Sequence, residues 1–224
     1  MARAAAVKRN ELPTLRRQAY ESFTRQLLDA NIRPGQFISQ RELSALMGLP
    51  LGAVREVIPR LEAEGLITTV PQRGLQIANV DVRLIRNAFQ LRLVLEKEAA
   101  VHFAAIASDA QLDALEKTHR TVIARARRGI TQSLLEDAQA IDWGLHDTLI
   151  DTLKNDIVSD IYRVNSLRIR LIRLDRIVLT PEHLFSAMEE HLAIIAALRS
   201  RRPAAAIAAV EKHLSSACNR ALGL

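Results

Sequence analysis

The 224-residue chain is expected to be mainly α, with a small three-helix-and-hairpin domain in front of an all-α six-helix bundle. Three observations carry that expectation. Aromatic residues make up only 4% of the chain while Ala, Leu and Ile abound, a composition that favours helix over sheet. From Asp81 onward no segment alternates with period two, and apolar residues recur at helical spacing. The β-prone runs are two short ones, Leu66–Val70 and Leu75–Ala78, on either side of Pro71-Gln72-Arg73-Gly74, the pattern of a hairpin. The division falls at residues 1–80 and 81–224, and the chain is long enough for each part to bury its own core.

The front part has legible punctuation. Leu15, Ala19, Phe23, Leu27 and Leu28 fall on one stripe of a helix over residues 13–30. Arg33-Pro34-Gly35 ends it, since Pro34 disfavours the α region for Arg33 and Gly35 permits a turn. Ser39-Gln40-Arg41-Glu42 is a capping box opening a short helix through Met47, which Gly48 closes. Leu49-Pro50 leads into a third helix from about Leu51 to Ala63, ended at Gly65. Pro59 inside it forfeits a hydrogen bond at a cost of about 3 kcal/mol, so a kink or early break is expected there.

Three helices followed by a hairpin is the winged helix-turn-helix order, which seats the third helix in a DNA major groove. Arg55 then projects from the first half of that helix, within reach of base edges. Arg41 opens the second helix within reach of a phosphate or a base. Arg73 stands at the hairpin tip, where a minor groove or phosphate is the expected contact. Each could equally be a solvated charge; together, in this frame, they read as a DNA surface.

The back part has six helical segments, roughly 81–107, 110–128, 132–153, 156–178, 182–200 and 204–222. Ser108-Asp109 and Thr180-Pro181 are N-cap and N1 pairs, Gly129 is a stop, and Pro203 starts the last helix. Asp142 and His146 are four apart and leave one helix face a turn apart. His191 and His213 lie on the last two helices. A carboxylate and three neutral imidazoles converging in a bundle suit zinc best, with nickel, manganese and iron(II) also accommodated. A single histidine is ordinarily a satisfied or exposed side chain, and His102, His119 and His183 are read that way. Arg168, Arg170 and Arg173 form a basic run; at least two are expected in solvent, with one able to turn inward to an anion.

The front part resembles the GntR family of bacterial regulators. The matching blocks are Ile32-Arg33-Pro34-Gly35-Gln36, Ser39 to Ser44, Val54-Arg55-Glu56-Val57, Leu61 to Ile67, and Arg73-Gly74, over residues 15–78 or so. The resemblance puts Arg41 and Arg55 at DNA-contacting positions and Gly74 at the wing tip. Where the family usually has a Ser-Arg-Thr-Pro-like entry to the recognition helix, this chain has Leu49-Pro50-Leu51-Gly52, so its operator is expected to depart from the usual half-site. Residues 84–216 resemble the FCD ligand-binding domain of the FadR subfamily, on Asp142 to His146, Asn155, Glu190-His191 and His213-Leu214. That resemblance implies a metal held by Asp142, His146, His191 and His213 beneath an effector pocket. It also implies that Arg92, four residues before Glu96, meets an effector carboxylate, and that the chain dimerises through the bundle. Six bundle helices point to the VanR-like branch.

The remaining features bound the function. The net charge is +6, mostly from Arg, which is better than Lys at bidentate contacts to phosphate and guanine. Residues 1–80 carry 11 Lys and Arg against 7 Asp and Glu, so most of the excess lies there. Cys218 is the only cysteine, which forbids an intramolecular disulfide and fits a reducing cytoplasm. The basic start, Met1 to Asn10, lacks the apolar stretch of a secretory signal, and no apolar run approaches a membrane span. The expected function is a transcription regulator: a homodimer binding a pseudo-palindromic double-stranded DNA operator and answering a small carboxylate effector at the metal. The rival is a metal-dependent hydrolase using the Asp/His₃ set, against which no well-placed general acid or base is evident. In a third reading the metal only pins three helices together.

Overall fold

The computed structural model describes residues 14–176 and 181–224. The expected helix end at 177–178, the N-cap Thr180 and the basic start at residues 1–10 lie outside them. The chain divides into two compact units between Asn79 and Val80.

In the first unit the order is α1 (Leu15–Leu28), β1 (Phe37–Ile38), α2 (Gln40–Met47), α3 (Leu51–Ala63), β2 (Ile67–Val70) and β3 (Gly74–Ile77). Ser39 caps α2: its hydroxyl accepts from the Glu42 amide, and Glu42 accepts from the Ser39 amide at 2.8 Å. Gly48 closes the helix in the left-handed region. Phe23 and Leu27 from α1, Leu43 from α2, Val54, Val57 and Leu61 from α3, and Leu75 and Ile77 from β3 are fully buried together as a core. The strands are antiparallel in the order β1-β3-β2, with Phe37 opposite Gln76 and Thr69 opposite Leu75.

Two expectations change. The sheet has a third strand, β1, where a two-strand hairpin was expected. It is too short to show a period in sequence and exists because β3 supplies its hydrogen-bond partner. Gly74 is where they meet: its φ is +91°, and a Cβ there would stand 2.9 Å from the Ile38 carbonyl oxygen. Pro59 causes no break, and α3 runs through it. Pro59 is exposed, so water can reach the Arg55 carbonyl that loses its partner, while Val57, Ile58 and Leu61 hold the other face in the core.

The second unit is all-α among the described residues: α4 (Val82–Ile106), α5 (Asp109–Ala126), α6 (Gln132–Asp151), α7 (Asp156–Arg176), α8 (Pro181–Arg199) and α9 (Pro203–Leu222). Ser108 opens α5 with a second capping box and Pro203 opens α9, the boundaries their residue types predict. Phe103 of α4, Leu112 of α5, Leu145 and Leu149 of α6, Ile194 and Leu198 of α8, and Val210 and Leu214 of α9 form the main buried cluster. The metal-candidate side chains sit on α6, α8 and α9, all of which contribute to it. No helix of the described residues is long and apolar enough to cross a membrane.

Candidate functional site

Inside this apolar bundle lies a polar centre. Asp142, His146, His191 and His213 are all buried, with exposures between 0% and 6%. One nitrogen from each of the three imidazoles lies within 4.8 Å of the others. The Nε2 atoms of His191 and His213 are 3.3 Å apart. The Asp142 carboxylate stands 3.5 Å from His191 Nε2 through Oδ1, and its Oδ2 accepts from Arg173.

The opposite edge of each ring is anchored, and the anchors fix the proton positions. His146 Nδ1 meets the Glu96 carboxylate at 2.7 Å, and His213 Nδ1 meets the Glu190 carboxylate at 2.8 Å. A carboxylate accepts, so both Nδ1 atoms carry the proton. His119 Nδ1 lies 2.7 Å from the Leu115 carbonyl oxygen, which can only accept. His119 Nε2 is then itself an acceptor, and His191 Nδ1, 3.1 Å away, donates to it. In each neutral ring the remaining Nε2 is therefore a bare lone pair.

These lone pairs demand a partner. A proton shared between His191 and His213 would satisfy that pair, yet His146 Nε2, buried and without a hydrogen bond, would remain empty. A divalent cation would satisfy all three nitrogens together, with the Asp142 carboxylate beside it at His191. Anchoring the far nitrogen of each ligating imidazole is also how metal sites fix ring orientation. The donor set thus fits a metal. Burial, then the nearby Arg92, pushes the His146 pKa down to about 4, and burial with the neighbouring His213 holds His191 well below the usual range. Both rings stay available as neutral ligands. Burial opposes the Asp142 charge, but Arg173 keeps its carboxyl far below the ordinary value, so it remains a carboxylate.

Glu96 ties the centre to a cavity. It accepts from Arg92, from His146 Nδ1 and from the Tyr162 hydroxyl at 2.7 Å, while being fully buried itself. Burial disfavours its charge, but Arg92 and His146 keep it ionised. A cavity with about 320 Å³ of atom-free space, mouth included, is lined by Arg92, Trp143, His146, Tyr162, Asn165 and Arg170 among others. A second, lined by Asp142, Arg173, His183, His213 and Arg220, shares Arg92 and Ile169 with it.

The sequence-predicted residues fare differently. His146, His191 and His213 come together, Asp142 stands beside His191 alone of the three and is ion-paired to Arg173, and Arg92 faces both cavities while ion-paired to Glu96. His119 is a satisfied buried histidine, but its partner is a ligand candidate. His102 is half-buried and outside the cluster. The basic run on α7 is corrected: Arg173 is only 13% exposed on Asp142, and Arg170 lies over the Trp143 ring at 3.8 Å, so two of the three turn inward. Desolvation is offset by a carboxylate in one case and an aromatic face in the other. Tyr162 and Asn165 were missed; nothing in their sequence surroundings distinguishes them from ordinary helix residues.

In the first unit Arg41 is exposed at the start of α2 and Arg55 on the first half of α3, where Arg55 Nε donates to Gln40 at 3.2 Å. That bond brings the start of α2 beside the outer face of α3. Arg73 is exposed in the β2–β3 turn with its guanidinium 3.7 Å above the Phe37 ring.

Residues 15–77 match the family model of bacterial regulatory proteins, gntR family, and residues 87–216, more than half of the chain, match that of the FCD domain. The chain belongs to the GntR family and carries an FCD domain. This GntR chain is 26% identical over 208 residues to the HTH-type transcriptional repressor RspR of Escherichia coli K12, covering 92% of this chain and 88% of that one. It is 25% identical over 201 residues to the repressor GlaR of the same strain, covering 87% and 90%. Its fold is shared with a GntR transcriptional regulator from Rhodococcus sp. RHA1, at a TM-score of 0.73, 17% identity and 92% and 98% coverage. It is shared too with E. coli McbR/YncC, at 0.71, 16%, and 92% and 95%. As a GntR-family protein it is a DNA-binding transcriptional regulator.

Proposed function

We propose that this regulator is a cytoplasmic homodimer that represses from a pseudo-palindromic operator and responds to a small carboxylate held at a metal in residues 81–224. Residues 1–80 grip the DNA: Arg55 reads base edges in the major groove, Arg41 and Arg73 contact the backbone or groove edges, and Gly74 lets the wing close on β1. Repression follows the names of RspR and GlaR. A two-fold operator needs two recognition helices, hence the dimer.

The observation that carries the effector reading is the buried convergence of three anchored imidazoles, with the Asp142 carboxylate beside His191. Zinc suits this donor set best, and nickel, manganese or iron(II) are also accommodated. When bound, such an ion supplies positive charge and open coordination positions for an oxygen ligand. Charge balance then selects the ligand. Arg92 pairs with Glu96 and Arg173 with Asp142, so no surplus negative charge is left to offset a divalent ion. An anion completes the buried site. Arg92, on the wall of both cavities, orients it. A ligand that binds one arrangement of the dimer better than another shifts the population toward it, and DNA affinity follows.

The test is metal content with a DNA-binding readout. Purified protein should carry about one divalent ion per chain, and His146→Ala should lose it and the response to effector while still binding operator. Full metal occupancy in His146→Ala would overturn the site. Full effector response in metal-stripped protein would overturn its role and favour a metal that only pins helices.

A further inference from the structure

Among the described residues, four buried side-chain atoms make no hydrogen bond: Trp143 Nε1, His146 Nε2, Asn165 Oδ1 and Arg170 Nε. All four residues line the same cavity. Folded proteins leave few buried polar atoms unpaired, so four on one wall mark a surface shaped for a partner. His146 Nε2 belongs to the candidate metal centre; the other three describe a ligand.

Their chemistry is unequal. The Trp143 and Arg170 nitrogens can only donate, whereas an amide oxygen can only accept. The orientation of Asn165 is fixed, because its Nδ2 donates at 2.9 Å to the Ala88 carbonyl oxygen, which cannot donate in return. The atom left over is the oxygen, and Asn165 is buried, with 1% exposure. A plain carboxylate would satisfy the two donors and leave Asn165 Oδ1 dry, facing a ligand with no proton to offer. An acid that also carries a hydroxyl satisfies all three. A protonated amine could donate too, but it would bring a positive charge beside the Arg170 guanidinium; Arg92 on the same wall is already neutralised by Glu96. The only carboxylate on that wall, Asp147, is exposed to water.

We propose that this cavity selects a hydroxy acid over the corresponding plain acid, and that Asn165 is the residue that reads the hydroxyl. The inference rests on the effector reading above and narrows its ligand class.

The experiment uses three matched pairs of one, two and three carboxylates: propionate and lactate, succinate and malate, tricarballylate and citrate. Binding of each to the zinc-loaded full-length protein is measured by calorimetry, with aspartate added as the amine counterpart of malate. In the size class that binds, the hydroxy acid should bind about tenfold or more tightly than its partner. Asn165→Leu should erase that difference, read as the ratio of the two affinities within the variant, with its fold checked separately by circular dichroism; Asn165→Ala is the second variant. Equal affinity within each wild-type pair overturns the inference and leaves the effector reading standing, as does aspartate outbinding malate. A preference that survives in both variants assigns it to chelation of the metal by the hydroxyl, and again overturns it. If none of the acids binds, the carboxylate-effector reading itself fails and takes the inference with it.

Discussion

A carbonyl oxygen accepts and never donates, and at Leu115 that one constraint propagates through His119 to the Nε2 edge of His191. His119 therefore does more than fill space: it holds the His191 proton on Nδ1 and keeps Nε2 free. Replacing His119 with Phe retains a ring of similar shape and removes the acceptor. His191 Nδ1 would then be buried without a partner, and the tautomer with Nε2 protonated would compete. Metal affinity, read by competition with a chelator, should fall roughly 10–100-fold, the usual cost of losing an outer-shell anchor, with the helical circular-dichroism signal unchanged. Unchanged affinity would mean that His191 keeps its tautomer by other means. Glu96 plays the same part for His146 and adds Arg92 and Tyr162, so one buried carboxylate couples a candidate metal ligand to two cavity-lining side chains.

At the scale of elements, α3 sets a local rule against packing. A proline in a helix interior costs about 3 kcal/mol relative to alanine. Val54, Val57, Ile58 and Leu61 bury one face of the same helix, and each buried aliphatic side chain contributes about 1.5–3 kcal/mol. Packing wins, and the helix stays whole. Pro59→Ala should then restore the bond to the Arg55 carbonyl and raise stability by about 1–3 kcal/mol in urea unfolding, with the slope unchanged. A loss of stability would show that the proline's restriction of the unfolded chain outweighs the missing bond. Element boundaries were legible where chemistry is local: the Ser39–Glu42 box, the Ser108 N-cap, Gly48 and Pro203 act on neighbours within four residues. Strand β1 was not legible, because Phe37 and Ile38 become a strand only through Gln76 and Leu75, far along the chain.

For the whole molecule the same distinction separates what could be read of the site from what could not. Asp142 and His146 share a helix face by spacing alone, but the pairings of His119 with His191, Tyr162 with Glu96 and Arg173 with Asp142 join residues 72, 66 and 31 positions apart. Only helix packing brings them together, which is why Arg173 could be mistaken for a solvated charge. The DNA surface divides in a comparable way, and salt can separate its parts. In the proposed DNA contact Arg55, exposed on α3 and bonded to Gln40, reads a base, and Arg73, with its guanidinium over the Phe37 ring in the wing, meets a phosphate. Arg55→Ala should cost about 1–3 kcal/mol on the operator and relax discrimination at one base pair of each half-site. Arg73→Ala should weaken operator and unrelated DNA alike, and reduce the slope of log affinity against log salt by roughly one for each phosphate no longer neutralised. Titrations at several salt concentrations, on operator and on scrambled DNA, measure both effects together. If Arg73→Ala instead altered base preference and left the slope intact, the wing would be reading a groove, and the phosphate assignment would fail.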